Sequence, residues 1–176
     1  MYKILIVDDE SIEREGISFL IEKYKLPLEV AQATNGKTAL EYMRTHPIDI
    51  LLTDVKMPQM DGLELARHTF EKYPDVRILV FSAYGEFEFA KKAMAAQAVS
   101  YLLKPIEVDE FQRVMAQILA RCDELAEKKK DEQQRGEEYR QQLLFRLVTG
   151  TGLGKAHITE EWFSGQTLCL LHVQTE

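Results

Sequence analysis

Polar side chains that could hold ions follow four short apolar runs of this 176-residue sequence. Asp8 and Asp9 follow KILIV near the N-terminus, and Asp54 follows ILLT. Ser82 follows ILVF, and Lys104 follows YLL. Packing alone does not explain why apolar runs should all end in functional groups. We therefore predict that these five side chains share one site.

Three carboxylates and one ammonium group form a set that suits phosphoryl transfer. Carboxylates brought close together repel one another and raise the pKa of at least one of them, unless a positive charge intervenes. Magnesium takes oxygen ligands, commonly one or two protein carboxylates, and therefore fits such a group. Magnesium on one side and Lys104 on the other would neutralise negative charge on the oxygens of the phosphoryl group that is transferred. We predict that Asp54 accepts a phosphoryl group and becomes an acyl phosphate.

Each of these residues also has an ordinary structural interpretation. The aspartates could cap a turn or a helix, Ser82 could bond to the local backbone, and Lys104 could be a surface lysine. Tyr101 precedes Lys104 in a strand-like run, where an aromatic residue usually belongs to the core. The four histidines show no ligand spacing, and we interpret them as surface or packing residues. The shared site is favoured because one hypothesis explains all the strand ends together.

The segments that must position these residues alternate in character between residues 3 and 121. Apolar, β-rich runs predict strands at Lys3–Asp9, Leu28–Ala33, Ile48–Asp54, Arg77–Ala83 and Val99–Pro105. Helical patterns occur at Glu13–Tyr24, Asn35–His46, Gly62–Tyr73 and Glu86–Gln97, and another begins near Val108. This alternation predicts an α/β fold with a doubly wound, five-stranded parallel sheet. Ligands of such sheets bind beyond the carboxyl ends of the strands, where Asp54 is expected.

The sequence has no proline after Pro105, and the segment Val108–Val148 could form one long helix. Both ends of this segment are amphipathic, whereas its middle is almost wholly polar. The helix could pair with a second copy as a signalling element, or it could be an exposed linker. Lys129, Glu132 and Gly136 would make a poor coiled-coil seam, but we favour pairing.

The predicted domains follow from these patterns. Residues 1–121 form the α/β domain, residues 122–148 a linker or signalling helix with a possible coiled coil, and residues 149–176 the start of a further, incomplete domain. The glycine-rich TGTGLG at the start of the last segment indicates the end of the helix. The residues after it are too few to build a core of their own.

The composition bounds the function classes. A net charge of -7 and a pI of about 5.2 argue against a nucleic-acid-binding surface on these residues. The two cysteines form no CxxC pair, which excludes the usual zinc and redox motifs. The N-terminus lacks the features of a signal peptide, and no apolar run approaches the length of a membrane span. We therefore expect a cytoplasmic protein with reduced thiols and no membrane contact.

Four motifs together resemble the receiver domains of two-component response regulators. The similarity covers about the first 120 residues and rests on VDDE (Val7–Glu10), TDVKMPQMDG (Thr53–Gly62), FSAY (Phe81–Tyr84) and YLLKP (Tyr101–Pro105). Each motif alone is a weak signal, but the set with these gaps is highly specific. The resemblance implies a flavodoxin-like receiver fold, here followed by a long C-terminal helix.

The resemblance also implies the roles of the acidic residues. Asp54 would be the phosphoacceptor, receiving phosphate from a sensor histidine kinase. Asp8 and Asp9 would form the acidic pocket for Mg²⁺, with Asp9 a direct ligand. Asp54 and the backbone carbonyl of Lys56 would complete the protein's contribution to the metal site. In this family the protein catalyses only its own phosphorylation and dephosphorylation and is not otherwise an enzyme.

The remaining site residues would stabilise the phosphoryl group and report its presence. Ser82 would form a hydrogen bond to the phosphoryl group, and Lys104 would form an ion pair with it. Tyr101 matches the aromatic residue that turns inward on activation, so that Ser82 and Tyr101 form the switch. The resemblance further implies that the peptide bond between Lys104 and Pro105 is cis.

The long helix and the stretch EYRQQLLFRLVTG resemble response regulators with an AraC-type DNA-binding domain. This resemblance implies transcription control, a homodimer formed on phosphorylation, and DNA contact only through an output domain absent from these residues. Two alternatives remain open. One is a stand-alone receiver that signals by protein docking, and the other is a magnesium-dependent phosphohydrolase with a nucleophilic aspartate.

Overall fold

The structure of the chain, a computed structural model, describes residues 1–83 and 99–149. The helix expected at Glu86–Gln97, Tyr84, and the predicted start of a further domain from residue 150 lie outside the described residues. Cys169 also lies outside them, whereas Cys122 is a buried free thiol.

The described residues form alternating strands and helices, as expected from the sequence. The strands are β1 (Tyr2–Val7), β2 (Leu28–Ala33), β3 (Ile50–Asp54), β4 (Arg77–Ala83) and β5 (Val99–Lys104). The helices are α1 (Ser11–Lys23), α2 (Gly36–Thr45), α3 (Gly62–Lys72) and the long α4 (Val108–Thr149).

The five strands form one parallel sheet in the order β2-β1-β3-β4-β5. This order places β1 and β3 side by side at the centre, and it confirms the predicted doubly wound α/β fold. The register sets Val7 opposite Thr53, and Asp54 opposite Phe81. The carboxyl ends of β1, β3 and β4 therefore meet at the same edge of the sheet.

The strands at the centre are apolar because they are buried on both faces. One face packs under α1 and the first part of α4, which contributes Phe111, Met115 and Ile118 to the core. The other face packs under α2 and α3, which contribute Met43 and Leu65. These two core layers hold the strands in register, so that their carboxyl ends stay together at one edge of the sheet.

Two helices near this edge begin at residues that suit a helix start. The Asn35 side chain accepts the backbone N–H of Thr38 at 2.9 Å and forms a capping box with it, at the start of α2. The Asp61 side chain accepts the backbone N–H of Glu64 at 2.7 Å, at the start of α3. The loop between β3 and α3 is therefore fixed at its far end by Asp61.

Four strand boundaries differ from the predicted ones by one or two residues. Among them, β1 begins at Tyr2 rather than Lys3, and β5 ends at Lys104 rather than Pro105. The first strand ends at Val7, which leaves Asp8 and Asp9 in the loop that leads to α1. The third strand begins at Ile50 rather than Ile48, and the Asp49 carboxylate just before it accepts the backbone N–H of Lys3 at 2.7 Å. Apolar runs do not show such a side-chain bond or the residue at which strand pairing begins.

The chain divides into two compact units, Met1–Lys128 and Lys129–Glu176. In the described part of the second unit, residues 129–139 of α4 are all exposed. Gly136 lies within this helix, and a Cβ added there would meet open space. The predicted long helix is confirmed, whereas its pairing with a second copy stays a prediction. Among the described residues, no helix is long and apolar enough to span a membrane.

Candidate phosphoacceptor site

Three carboxylates converge at the carboxyl edge of the sheet. One oxygen from each of Asp8, Asp9 and Asp54 lies within 4.8 Å of the others. Asp8 and Asp54 are buried, with 1% and 6% of their surfaces exposed, whereas Asp9 is exposed. The group therefore has two fixed, buried members and one that faces solvent.

The ammonium group of Lys104 lies between the two buried carboxylates. Its Nζ is 3.0 Å from Asp8 Oδ2 and 3.1 Å from Asp54 Oδ1. The same nitrogen is 4.7 Å from the centre of the Phe81 ring, a distance typical of a cation–π contact. One cation thus serves two carboxylates, and the neighbouring Asp9 adds further negative charge to the site.

The pKa values at the site show how this charge is balanced. Burial raises the pKa of Asp54, and the nearby Asp8 adds to the increase, although Lys104 opposes it. Burial lowers the pKa of Lys104, but its hydrogen bonds to Asp8 and Asp54 outweigh that effect and raise the pKa overall. The ammonium group is therefore charged at neutral pH, yet it does not fully compensate the carboxylates.

The donor set fits a hard divalent cation. All three converging side chains offer carboxylate oxygens, which magnesium prefers over nitrogen and sulfur. Asp8 Oδ1 accepts the backbone N–H of Glu10 at 2.8 Å, and Asp54 Oδ2 accepts that of Lys56 at 3.1 Å. These bonds orient the buried carboxylates, and Asp9 presents its own to solvent. The residues present therefore suit a magnesium ion, which would supply the missing positive charge.

The other predicted site residues lie close by in the fold, but their roles are not tested. Ser82 is buried and follows Phe81, the residue paired with Asp54. Tyr101 is half-buried against the α2 and α3 side of the core, and burial raises its pKa. The Lys104–Pro105 peptide bond is cis, as the resemblance implies. The metal-binding role of the Lys56 carbonyl stays a prediction, as do the switch roles of Ser82 and Tyr101.

Gly62 contributes to the site in a way that the sequence analysis missed. A Cβ added there would lie 1.7 Å from the backbone oxygen of Asp54 and 2.8 Å from Thr53 Oγ1. The Gly62 N–H also donates to the carbonyl of Val55 at 2.9 Å. The start of α3 thus packs directly against the backbone that carries Asp54. The Asp-Gly pair at the predicted helix start was the signal available for this contact.

Arg14 is a second residue that the sequence analysis missed. It lies in the first turns of α1, and its Nη1 donates to the backbone carbonyl of Asp8 at 2.6 Å. Its spacing from Asp8 carried no clear signal, because the contact depends on how α1 returns across the sheet.

Comparison with known proteins agrees with this geometry. A family model described as the response regulator receiver domain matches residues 4–116. The chain belongs to the response regulator receiver domain family. The matched range contains the acidic group, Ser82 and Lys104.

Several relatives of this receiver domain are transcriptional regulators. Over 121 residues it is 41% identical to an uncharacterized transcriptional regulatory protein, YesN, of Bacillus subtilis. The match covers 68% of this chain and 33% of YesN, so the chain spans about a third of that relative's length. The other regions of YesN lie outside the match.

Solved receiver structures have the same fold. A two-component transcriptional regulator AraC from Clostridium phytofermentans is 35% identical with a TM-score of 0.66, and the match covers 70% of this chain and 97% of that one. The receiver domain of AraT, a response regulator from Geobacillus stearothermophilus, is 38% identical with a TM-score of 0.64. That match covers 73% of this chain and 98% of the AraT receiver-domain chain.

Proposed function

We propose that Asp54 accepts a phosphoryl group from the phosphohistidine of a sensor histidine kinase. The observation that carries the proposal is the buried Asp54 carboxylate with Lys104 Nζ at 3.1 Å and two further carboxylates within 4.8 Å. In the transfer, the phosphorus–nitrogen bond of phosphohistidine breaks, and a phosphorus–oxygen bond to Asp54 forms. The released imidazole keeps the electron pair of the broken bond.

The residues of the site have distinct parts in this transfer. Asp54 is held by the Lys56 N–H and backed by Gly62, so its carboxylate meets the donor in one orientation. Lys104 moves from its carboxylate partners to an oxygen of the phosphoryl group and offsets the charge that arrives there. Ser82 donates its hydroxyl to another of those oxygens.

Asp8, Asp9, Asp54 and the carbonyl of Lys56 would hold Mg²⁺. When bound, the ion neutralises negative charge on the phosphoryl oxygens and on the acidic group. Asp9 is suited to be a direct ligand because it is exposed, whereas Asp8 already accepts bonds from Glu10 and Lys104.

Phosphorylation would switch the output of the protein. It adds a charge of about -1.5 to -2 at Asp54, which attracts Ser82 and allows Tyr101 to turn inward. Because α4 begins just after β5, a change at this side of the receiver domain (residues 1–121) can pass to residues 122–148 and bring two copies together. The transcriptional relatives support an output through a DNA-binding domain beyond residue 149. Light scattering with and without beryllofluoride, a phosphoryl mimic, tests the pairing.

The acceptor role is tested by labelling with acetyl phosphate in the presence of Mg²⁺. The wild-type chain should gain one phosphoryl group by mass spectrometry, and Asp54→Asn should gain none. Asp61→Asn is the matched control, since it makes the same change a few residues away and asparagine caps a helix as well as aspartate. Label that persists on Asp54→Asn would overturn the proposal.

A further inference from the structure

Arg14 joins α1 to the loop that carries the acidic residues. Its Nη1 donates to the Asp8 carbonyl at 2.6 Å, a part-buried bond, and its Nε donates to Gln32 Oε1 at 3.2 Å. Arg14 thus connects the end of β1 to the end of β2, next to the acidic group. The guanidinium is planar and rigid, so it loses little conformational entropy for each hydrogen bond that it forms.

The acceptor of the second bond is itself held in place. Gln32 Nε2 donates to Ser18 Oγ at 3.0 Å, and Ser18 Oγ donates to the Arg14 carbonyl at 2.8 Å. Arg14, Gln32 and Ser18 therefore form a closed ring of hydrogen bonds. We name this ring the Arg14 clamp. Its bonds fix the direction in which the guanidinium points.

The clamp acts on the peptide group between Asp8 and Asp9. The carbonyl that Arg14 holds belongs to this peptide group, which is planar. The other groups of Asp8 are also held: its N–H donates to Ala33, Oδ1 accepts from Glu10, and Oδ2 pairs with Lys104. Because Arg14 holds the carbonyl as well, the peptide plane has a fixed orientation. That orientation determines the position of the Asp9 backbone.

We propose that Arg14 is a positioning residue for the cation site, holding the Asp8–Asp9 peptide so that the exposed Asp9 carboxylate faces Asp54. The inference rests on the proposed function, because the cation that Asp9 would bind is the Mg²⁺ of phosphoryl transfer. Groups that orient metal ligands in this way typically change metal affinity by about 10- to 100-fold when they are removed.

The sign of the effect separates positioning from simple charge. Arg14 is a cation near a cation site, so removing its charge alone should tighten Mg²⁺ binding. Removing a positioning bond should weaken it instead. Arg14→Met removes the guanidinium but keeps an unbranched apolar stem, and methionine is a good helix former. The two interpretations therefore predict opposite changes for this variant.

The experiment is a calorimetric titration of the full chain with Mg²⁺ alone, without any phosphoryl donor. We expect Arg14→Met to bind about 10-fold more weakly and Arg14→Lys, which restores one donor, to recover part of the loss. Gln32→Thr, which keeps the charge but opens the clamp, should weaken binding by a few-fold. Arg67→Met removes an exposed arginine from α3, which is paired with Glu71, and should leave binding unchanged.

Unchanged or tighter binding by Arg14→Met would overturn the inference. If that variant does not fold, as judged by circular dichroism, Gln32→Thr decides, and unchanged binding by it overturns the inference equally. Asp9→Asn tests the proposed function separately in the same titration. If Asp9→Asn still binds Mg²⁺, the proposed metal site is wrong. If Asp9→Asn loses binding but Arg14→Met binds normally, only the proposed role of Arg14 is wrong.

Discussion

The carboxylates at the amino edge of the sheet each have a donor of their own, whereas those at the carboxyl edge crowd together. At the amino edge, Asp49 accepts the backbone N–H of Lys3 at 2.7 Å, and Asp123 accepts the hydroxyl of Tyr2 at 2.5 Å. These bonds use the carboxylates to join neighbouring segments of the fold. Their chemistry is structural, and it requires no ion.

At the carboxyl edge, Asp8 and Asp54 share the ammonium group of Lys104, and the Asp9 carboxylate lies beside them. Within residues 1–83 and 99–149, Asp8, Asp9 and Asp54 are the acidic group whose geometry suits a metal ion. Burial of Asp54 beside Asp8 costs folding free energy, as its raised pKa shows. The comparison teaches that crowding distinguishes the two edges: separate carboxylates join segments at the amino edge, whereas converging carboxylates at the carboxyl edge mark the site where a cation and a phosphoryl group would bind.

The largest effect is expected from filling the space behind Asp54. Gly62→Ala would drive a methyl group into the Asp54 carbonyl, 1.7 Å away, so we expect a loss of about 3 kcal/mol or more in the free energy of unfolding. Gly16→Ala is the matched control. Its Cβ meets nothing within 4 Å, and alanine should stabilise α1 by about 0.5–1 kcal/mol.

Urea unfolding of the two alanine variants measures this difference. Opposite shifts of the two midpoints would show that the backbone at the carboxyl edge has no room to move. Equal, small shifts would contradict the tight packing of α3 against β3.

Magnesium should stabilise the chain through the carboxyl edge alone. At 100 times the dissociation constant, a ligand of the folded state adds about 2.7 kcal/mol to the free energy of unfolding, or roughly 5–10 °C in Tm for a chain of this size. Asp9→Asn should lose most of this response. Asp49→Asn, at the amino edge, should keep it, because its side-chain oxygen can still accept the Lys3 N–H. Thermal unfolding with and without Mg²⁺ tests both, and a lost response in Asp49→Asn would break the distinction between the edges.

Acid should reveal the cost of burying Asp54. Because the pKa of Asp54 is raised in the folded chain, the protonated form favours folding. That contribution is complete below the ordinary pKa of about 4 and is lost as pH rises through the raised value. Asp54→Asn cannot titrate, so its stability relative to wild type should increase across this window. Urea midpoints in EDTA measure the difference, and parallel curves from pH 4 to neutral would contradict it.

The sequence predicted most of the fold because its signals are local. Apolar runs and helical patterns placed β2 (Leu28–Ala33) and β4 (Arg77–Ala83) at their observed bounds. The parallel arrangement followed, since strands that alternate with helices can pair in few ways. The start of β3 was wrong by two residues, because an apolar residue such as Ile48 does not itself show where strand pairing begins.

The convergence of the acidic residues could also be anticipated, since the carboxyl ends of parallel strands share an edge. The contacts of Gly62 and Arg14 were missed, because each depends on how a helix packs back against the end of the strand that precedes it. Gly62 touches β3 only once α3 has packed, and Arg14 bonds to Asp8 from α1 while it also bonds to Gln32 of β2. The Asp-Gly pair indicated the start of α3, but residue types alone do not give the distance between Gly62 and β3.

The smallest effect is expected at the amino edge, at high pH. The hydrogen bond to the Asp123 carboxylate raises the pKa of Tyr2 to about 12. A raised pKa in the folded chain means that the bond contributes fully below the ordinary tyrosine value of about 10 and is lost as pH rises through 12. Tyr2→Phe should therefore be slightly less stable than wild type at pH 8, and the gap should close by pH 12.

Ultraviolet absorbance of tyrosinate separates this bond from the other tyrosines. The difference between the titrations of wild type and Tyr2→Phe isolates Tyr2, and Asp123→Asn should return its pKa towards 10. A Tyr2 that titrates normally would show that the amino edge leaves Asp123 as free as Asp9. Asp49 would then be the one carboxylate left to support the contrast between the hydrogen-bonded amino edge and the cation-binding carboxyl edge.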